Sequence, residues 1–197
     1  SVAAFDGRWI PARPGTDTAL LLAVMYEMMR IDEERGDVID WDFLNTYCVG
    51  FDLDHMPEDA ELNECISEYV KGVYDGIPKT PERASEICGT PVEDITFLAE
   101  IMGKNNKTMF LHSYAASRIN GAENLPQAFL TVGAMGGHMG KSGHACGASY
   151  SFDTADSGPW LYEYADVRGN TRLPDPYENN CIEGPMWWKS VLDGKYV

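Results

Sequence analysis

Apolar positions crowd nearly all round the first three turns of TALLLAVMYEMMRIDEERG, residues 18–36, and give way to charge toward its end. That spacing predicts a long helix, largely buried at its start, with Thr16 or Asp17 as its cap and Gly36 as its stop. Ahead of it, RWIPA (residues 8–12) is short and apolar between turn-formers, which predicts a strand ending at Pro14-Gly15. Strand, tight glycine turn and capped helix form the first half of a βαβ unit. The first amides of such a helix point out unpaired, so its start is an anion or hydroxyl site by default.

Further along, DWDFLNTYCVGF predicts a short helix capped at Asp40, and FDLDHMPEDAELNE a surface loop. Asp52 and Asp54 in that loop lack the glycine and terminal glutamate of a calcium loop at the right offsets. Two helices then carry strong start signals: TPERASEICG puts Pro81 behind Thr80, and TPVEDITFLAEIMG offers Thr90, Pro91 and Glu93 as a capping box, with Gly89 and Gly103 as stops. KTMFLHSY, residues 107–114, is a second strand. After AASRINGAEN comes the helix LPQAFLTVGAM, with Glu123 and Asn124 at its start and Pro126 in its first turn. Residues 136–157 are rich in Gly, Ser and His, and 158–185 show no periodicity. MWWKSVLDG closes the chain as a short helix, with Trp187 and Trp188 read as packing. The pattern reads as a helix-rich α/β domain with few short parallel strands, a partial doubly wound, dinucleotide-binding-like domain. Residues 1–150 form its main part and 151–197 an irregular segment with a terminal helix of the same domain.

Composition narrows the partners. At 197 residues, 44% hydrophobic and 23% charged, the chain is globular, and a formal charge of -16 argues against nucleic acid or anionic lipid. No apolar run reaches the ~20 residues that span a bilayer, and SVAAFDGRWIP has no signal-peptide character, so neither direct membrane insertion nor a targeting signal is expected in these residues. Five cysteines are scattered without a CxxC, which predicts free thiols and no metal site. GGHMGKSG, residues 136–143, imitates a phosphate loop, but Met135 stands where that loop needs its first glycine. It reads as a helix exit, with Lys141 free of any phosphate role and His138 and His144 as polar loop residues.

No nucleophile elbow is visible. Two strand ends stand out instead, Arg13 to Asp17 and Tyr114 to Arg118, which an open α/β sheet would bring to one ligand crevice. From the residues alone, Asp17 is either a ligand for a base or a helix cap, and Arg118 either a site residue or a partner for Glu123.

In order along the chain, WIPARPGTDTALLLAVMYEMM, DFLNTYCVGFD, GIPKTPERASEICGTPVEDI and SYAASRINGAENLPQAFLTVGAMGGHMGKSG resemble segments of the molybdopterin oxidoreductases of the dimethyl sulfoxide reductase family, over at least residues 8–143. The resemblance implies a bis(molybdopterin guanine dinucleotide) cofactor with molybdenum. It carries a guanine-dinucleotide contact onto Gly15, Thr16 and Asp17, pterin-side contacts onto Tyr114 and Ala115, and a catalytic arginine near pterin and substrate funnel onto Arg118. It also lays the 136–143 loop past the pterin. Tyr114 replaces the family's tryptophan, Ala115, Ala116 and Ser117 replace Gly-Pro-Gln, and Ala122 replaces a glycine, which leaves open whether the oxidant is an S-oxide, an N-oxide or another acceptor.

The family's iron-sulfur cysteines, metal ligand and C-terminal domain are expected in a longer parent chain, so that this piece alone is inactive. An iron-sulfur electron-transfer subunit, a membrane anchor subunit, a twin-arginine leader and a place on the outer face of the cytoplasmic membrane are likewise what the family implies for the parent. The competing reading is a non-catalytic or NAD-type nucleotide-binding domain, or a degenerate homologue. No GxGxxG follows a strand to support NAD.

Overall fold

The computed structural model describes residues 5–61, 63–112 and 124–149, together with Gly121, Leu192 and Gly194. The chain divides into two compact units, Ser1–Ser151 and Phe152–Val197, and the elements described here belong to the first. The closing MWWKSVLDG helix, with Trp187 and Trp188, lies outside the described residues but for two positions.

Helix α1, Asp17–Arg35, is the centre of this unit. It packs against α4 (Pro81–Cys88), α5 (Val92–Ile101) and α6 (Asn124–Met135). Partners on several sides explain why its apolar residues run round the helix, and Ala23, Val24, Met25 and Met28 are almost completely buried. Gly36 ends it in the left-handed conformation, its amide bonding Asp32 O at 2.7 Å. Helix α2, Trp41–Tyr47, is capped as the sequence indicates, with Asp40 accepting from Phe43 N. The acidic stretch after it forms one 3-10 turn, Leu53–His55, capped by Asp52. Helix α3, Ile66–Lys71, was not foreseen from sequence; Gly72 stops it.

Strands β1 (Met109–His112) and β2 (Ala145–Ser149) pair in parallel, with an irregularity between Met109 and Leu111. Parallel strands need a crossover, and α6 supplies it, so β1, α6 and β2 make one βαβ unit. Phe110 packs beneath α6, its ring 5.7 Å from that of Phe129 in an edge-on arrangement. Helices around a short parallel sheet make a mixed α/β fold.

Several expectations are corrected. Residues 7–13 form no strand. Pro11 has no amide to donate, its carbonyl is taken by the Thr90 hydroxyl at 2.7 Å, and Arg13 N bonds Cys88 O at 2.8 Å. The segment is therefore a strap tied to the α4–α5 turn, with Trp9 exposed. By the same bond Thr90 is no helix cap: it is fully buried, and Pro91 holds the cap position of α5 without a side-chain bond. Strand β2 arises from ACGAS, inside a stretch whose composition reads as loop.

Candidate functional site

The turn before α1 is built from its sequence. Pro14 and Gly15 occupy its centre, Gly15 adopts φ 86°, and Thr16 N closes it onto Arg13 O at 3.2 Å, the signature of a type II turn. Thr16 is the residue before the helix, but its hydroxyl donates to Arg13 O at 2.7 Å and makes no cap bond. Asp17 is the first helical residue. Its carboxylate has no hydrogen bond or ion pair among the described residues, so the capping role open to it in the sequence is not taken up. Asp17 is half-buried at a helix start, where the dipole favours a negative group.

Arg13, for which the sequence suggested no role of its own, anchors this turn. Its guanidinium donates from one Nη to Glu86 O at 2.9 Å and Ile87 O at 3.0 Å, a cation on the carbonyl end of α4.

Next to the turn lies an open cleft of about 810 Å³. Thr18 and Leu22 of α1, Asn124 and Gln127 of α6, Cys48 and Tyr69 are among the residues that line it. The first turns of α1 and α6 thus open on one space. Residues 113–120, which join the carboxyl end of β1 toward α6 and carry Tyr114, Ala115 and Arg118, lie outside the described residues, as do Ala122 and Glu123.

The glycine-rich loop sits at the other end of the sheet. Helix α6 carries the chain back, and Ala145 N bonds Thr108 O at the amino end of β1. Lys141 is occupied, donating to Asp40 Oδ2 at 2.6 Å. Burial pushes the Asp40 carboxyl up, but the Lys141 ammonium and the Phe43 amide outweigh it and hold the group below the usual carboxylate range. His138 is fully buried rather than a polar loop residue, and burial keeps its imidazole below the ordinary histidine range against the opposing bond to Met102 O. Nothing local in the sequence marks this, because Met102 reaches it from 36 residues away.

Cys48, Cys65, Cys88 and Cys146 are free, and burial pushes the Cys146 thiol up to about 11. Among the described residues no three His, Cys, Asp or Glu side chains gather as metal ligands. No described helix is long and apolar enough to cross a membrane.

No protein-family model matches the chain. Curated relatives do. It is 35% identical to the dimethyl sulfoxide reductase DmsA of Haemophilus influenzae over 147 residues, 74% of this chain and 18% of that one. It is 30% identical to DmsA of Escherichia coli, over 90% of this chain and 25% of the relative. The chain belongs to the dimethyl sulfoxide reductase family. A dimethyl sulfoxide/trimethylamine N-oxide reductase of Cereibacter sphaeroides is a further family member, 32% identical over 93% of this chain and 19% of its own. The chain spans about a quarter or less of the length of these relatives.

Proposed function

We propose that this chain is part of the catalytic subunit of a molybdenum reductase, and that the start of α1 holds one guanine dinucleotide arm of bis(molybdopterin guanine dinucleotide). The observation that carries this is the Asp17 carboxylate, presented without a described partner beside the Gly15 turn. The donor set fits the group: guanine offers N1–H and N2–H on one edge, and a carboxylate accepts both. Gly15, exposed and without a side chain, lets a base or ribose approach the backbone, and the first amides of α1 face outward as further donors. The βαβ unit of β1, α6 and β2 supports reading the unit as part of a doubly wound domain.

In this reading the molybdenum centre, when bound, supplies two-electron oxygen-atom exchange with a small-molecule oxidant such as an S-oxide or N-oxide. The chain's own share is binding and orientation. Asp17, Thr16 and Gly15 fix the nucleotide end, Tyr114 and Ala115 flank the pterin, and Arg118 stands toward the substrate. The metal ligand and the iron-sulfur cluster belong to other parts of the subunit, which works with an iron-sulfur electron-transfer partner and a membrane anchor at the outer face of the cytoplasmic membrane. The relatives' names, all reductases of S-oxides or N-oxides among those given above, support the reaction class.

Replacing Asp17 in the intact parent tests this. Asp17→Ala removes two charge-assisted bonds, each contributing about 1.5–3 kcal/mol, so molybdenum and pterin content should fall. Full metal occupancy in that variant would overturn the assignment. Arg118→Ala should leave occupancy unchanged and alter turnover with reduced viologen; loss of the metal instead would move Arg118 from the substrate side to the cofactor.

A further inference from the structure

Two imidazoles meet inside the loop that joins α6 to β2. The rings of His138 and His144 stack 5.2 Å apart at 20°, and their Nδ1 atoms are 2.9 Å apart. The other nitrogen of His138, Nε2, lies 2.8 Å from Met102 O. A carbonyl only accepts, so Nε2 of His138 carries a hydrogen, and in the neutral ring Nδ1 is the acceptor. His144 must then donate from Nδ1, and its own Nε2, without a partner among the described residues, is the atom that takes a proton. One proton added there turns the bond between the rings into a charge-assisted one. A second proton, on Nδ1 of His138, sets two donors face to face, and no tautomer of either ring restores the contact.

The surroundings are built for this contact. Gly136 lets Met102 O and His138 Nε2 approach where a Cβ would collide with both, and at Gly137 a Cβ would strike the Asp40 carboxylate. The edge of His138 meets Phe110 of β1, the rings 5.5 Å apart. Among the described residues, Lys141 and Asp40 form their ion pair beside the two rings, Lys107 runs along Gly143 from the α5–β1 turn, and Cys146 on β2, against Gly133 and Phe129 O, keeps a protonated thiol. Burial, the neighbouring His144 and Lys141 oppose the second proton on His138, and its bond to Met102 O and the Asp40 carboxylate favour it.

We propose that the His138–His144 pair is a two-proton latch. With no proton or one proton added it ties His144, and with it the start of β2, to His138, which stays bonded to Met102 O at the end of α5 throughout; with two the contact between the rings lets go. Because Ala145 N makes the first bond of β2 to the β1 side, release of His144 loosens that end of the sheet. The latch stands at the amino ends of the strands and does not depend on the cofactor assignment.

Hydrogen exchange of the intact parent, read by mass spectrometry on peptides covering residues 136–149 and normalised to intrinsic exchange, tests it from about pH 7.5 down to about pH 4, because His138, held below the ordinary histidine range, takes its proton below about pH 6.5. Protection in the wild type should be lost toward the acid end. In His144→Gln the amide donates to His138 at high pH and turns to accept from it at low pH, so protection should persist throughout. In His144→Ala the donor is gone, and exchange should be about tenfold faster already at neutral pH, the factor equivalent to one lost bond of about 1.4 kcal/mol. Wild-type protection that is level across the range would overturn the latch, and so would an acid transition that survives in His144→Gln. A His144→Ala variant as protected as the wild type would overturn it too; should that variant fail to fold, the glutamine variant still decides.

Discussion

Asp32 shows how much one residue can carry without any signal in the sequence. It lies in the charged end of α1, among IDEER, and reads there as one more solvated acid. In the fold it is buried, and its carboxylate accepts from Val38 N at 2.8 Å, Ile39 N at 2.9 Å and the Trp41 indole at 2.8 Å. It thereby ties the chain that leaves α1 to the start of α2. Burial raises this carboxyl, yet the amides of Ile39 and Val38 with the indole outweigh it and keep it below the usual range. Asp32→Ala would leave two buried amides unpaired, each costing about 1–3 kcal/mol if unrelieved, besides the half-exposed Trp41 indole, so a loss of at least ~2 kcal/mol in local stability is expected. The measurement is the urea dependence of amide protection over residues 36–47. A change confined to the noise there would mean that water replaces the carboxylate at little cost. His138 was invisible for the same reason as Asp32, since its burial depends on partners far along the chain. The place of Asp17, at the turn that opens α1, was legible because it depends on neighbours next to it in sequence.

Elements follow the same division. Helices whose ends are written locally, α1 with Gly36 and α4 with Thr80, Pro81 and Gly89, were readable to within a residue or so, as was the start of α2 at Asp40. The strap at residues 7–13 and strand β2 were not, because one looks like a strand but is tied elsewhere and the other looks like a loop but finds a partner. Thr90 is the point where these readings diverge. As a helix cap it would hold the first amides of α5; in the fold its hydroxyl holds Pro11 O. Thr90→Val keeps the shape and removes the donor, so about 1 kcal/mol should be lost, and from the strap rather than the helix. Limited proteolysis at Arg8 and Arg13 should accelerate by several-fold while amide protection in α5 stays unchanged. Fraying at the start of α5 with an undisturbed strap would restore the capping role.

At the scale of the whole unit, the shifted groups pull in one direction with pH. His138 lies below the ordinary histidine value, so the folded state binds fewer protons there than the unfolded chain does, and the stability it gives is complete above the unfolded value of about 6.5 and drains away as the pH falls. Glu27 is lowered chiefly by its bond from Arg30, with Thr96 assisting, and Asp32 and Asp40 are lowered by the partners already described. A carboxylate lowered in this way contributes above its unfolded value, about 4, and loses that contribution as the pH drops through the folded one. Acidification should therefore weaken the unit in two stages, shallow below about pH 6.5 and steep below about pH 4.5. The net charge of -16 adds a term of opposite sign, since protonating exposed carboxylates relieves repulsion, but that term is screened by salt and the buried groups are not. Denaturation midpoints taken against pH at low salt and at about 0.5 M salt separate the two. The acid decline should be steeper at high salt, where relief of repulsion no longer offsets it. A midpoint that rises on acidification at both salt levels would show that surface repulsion, and not Asp32, Asp40, Glu27 and His138, governs the stability of this unit.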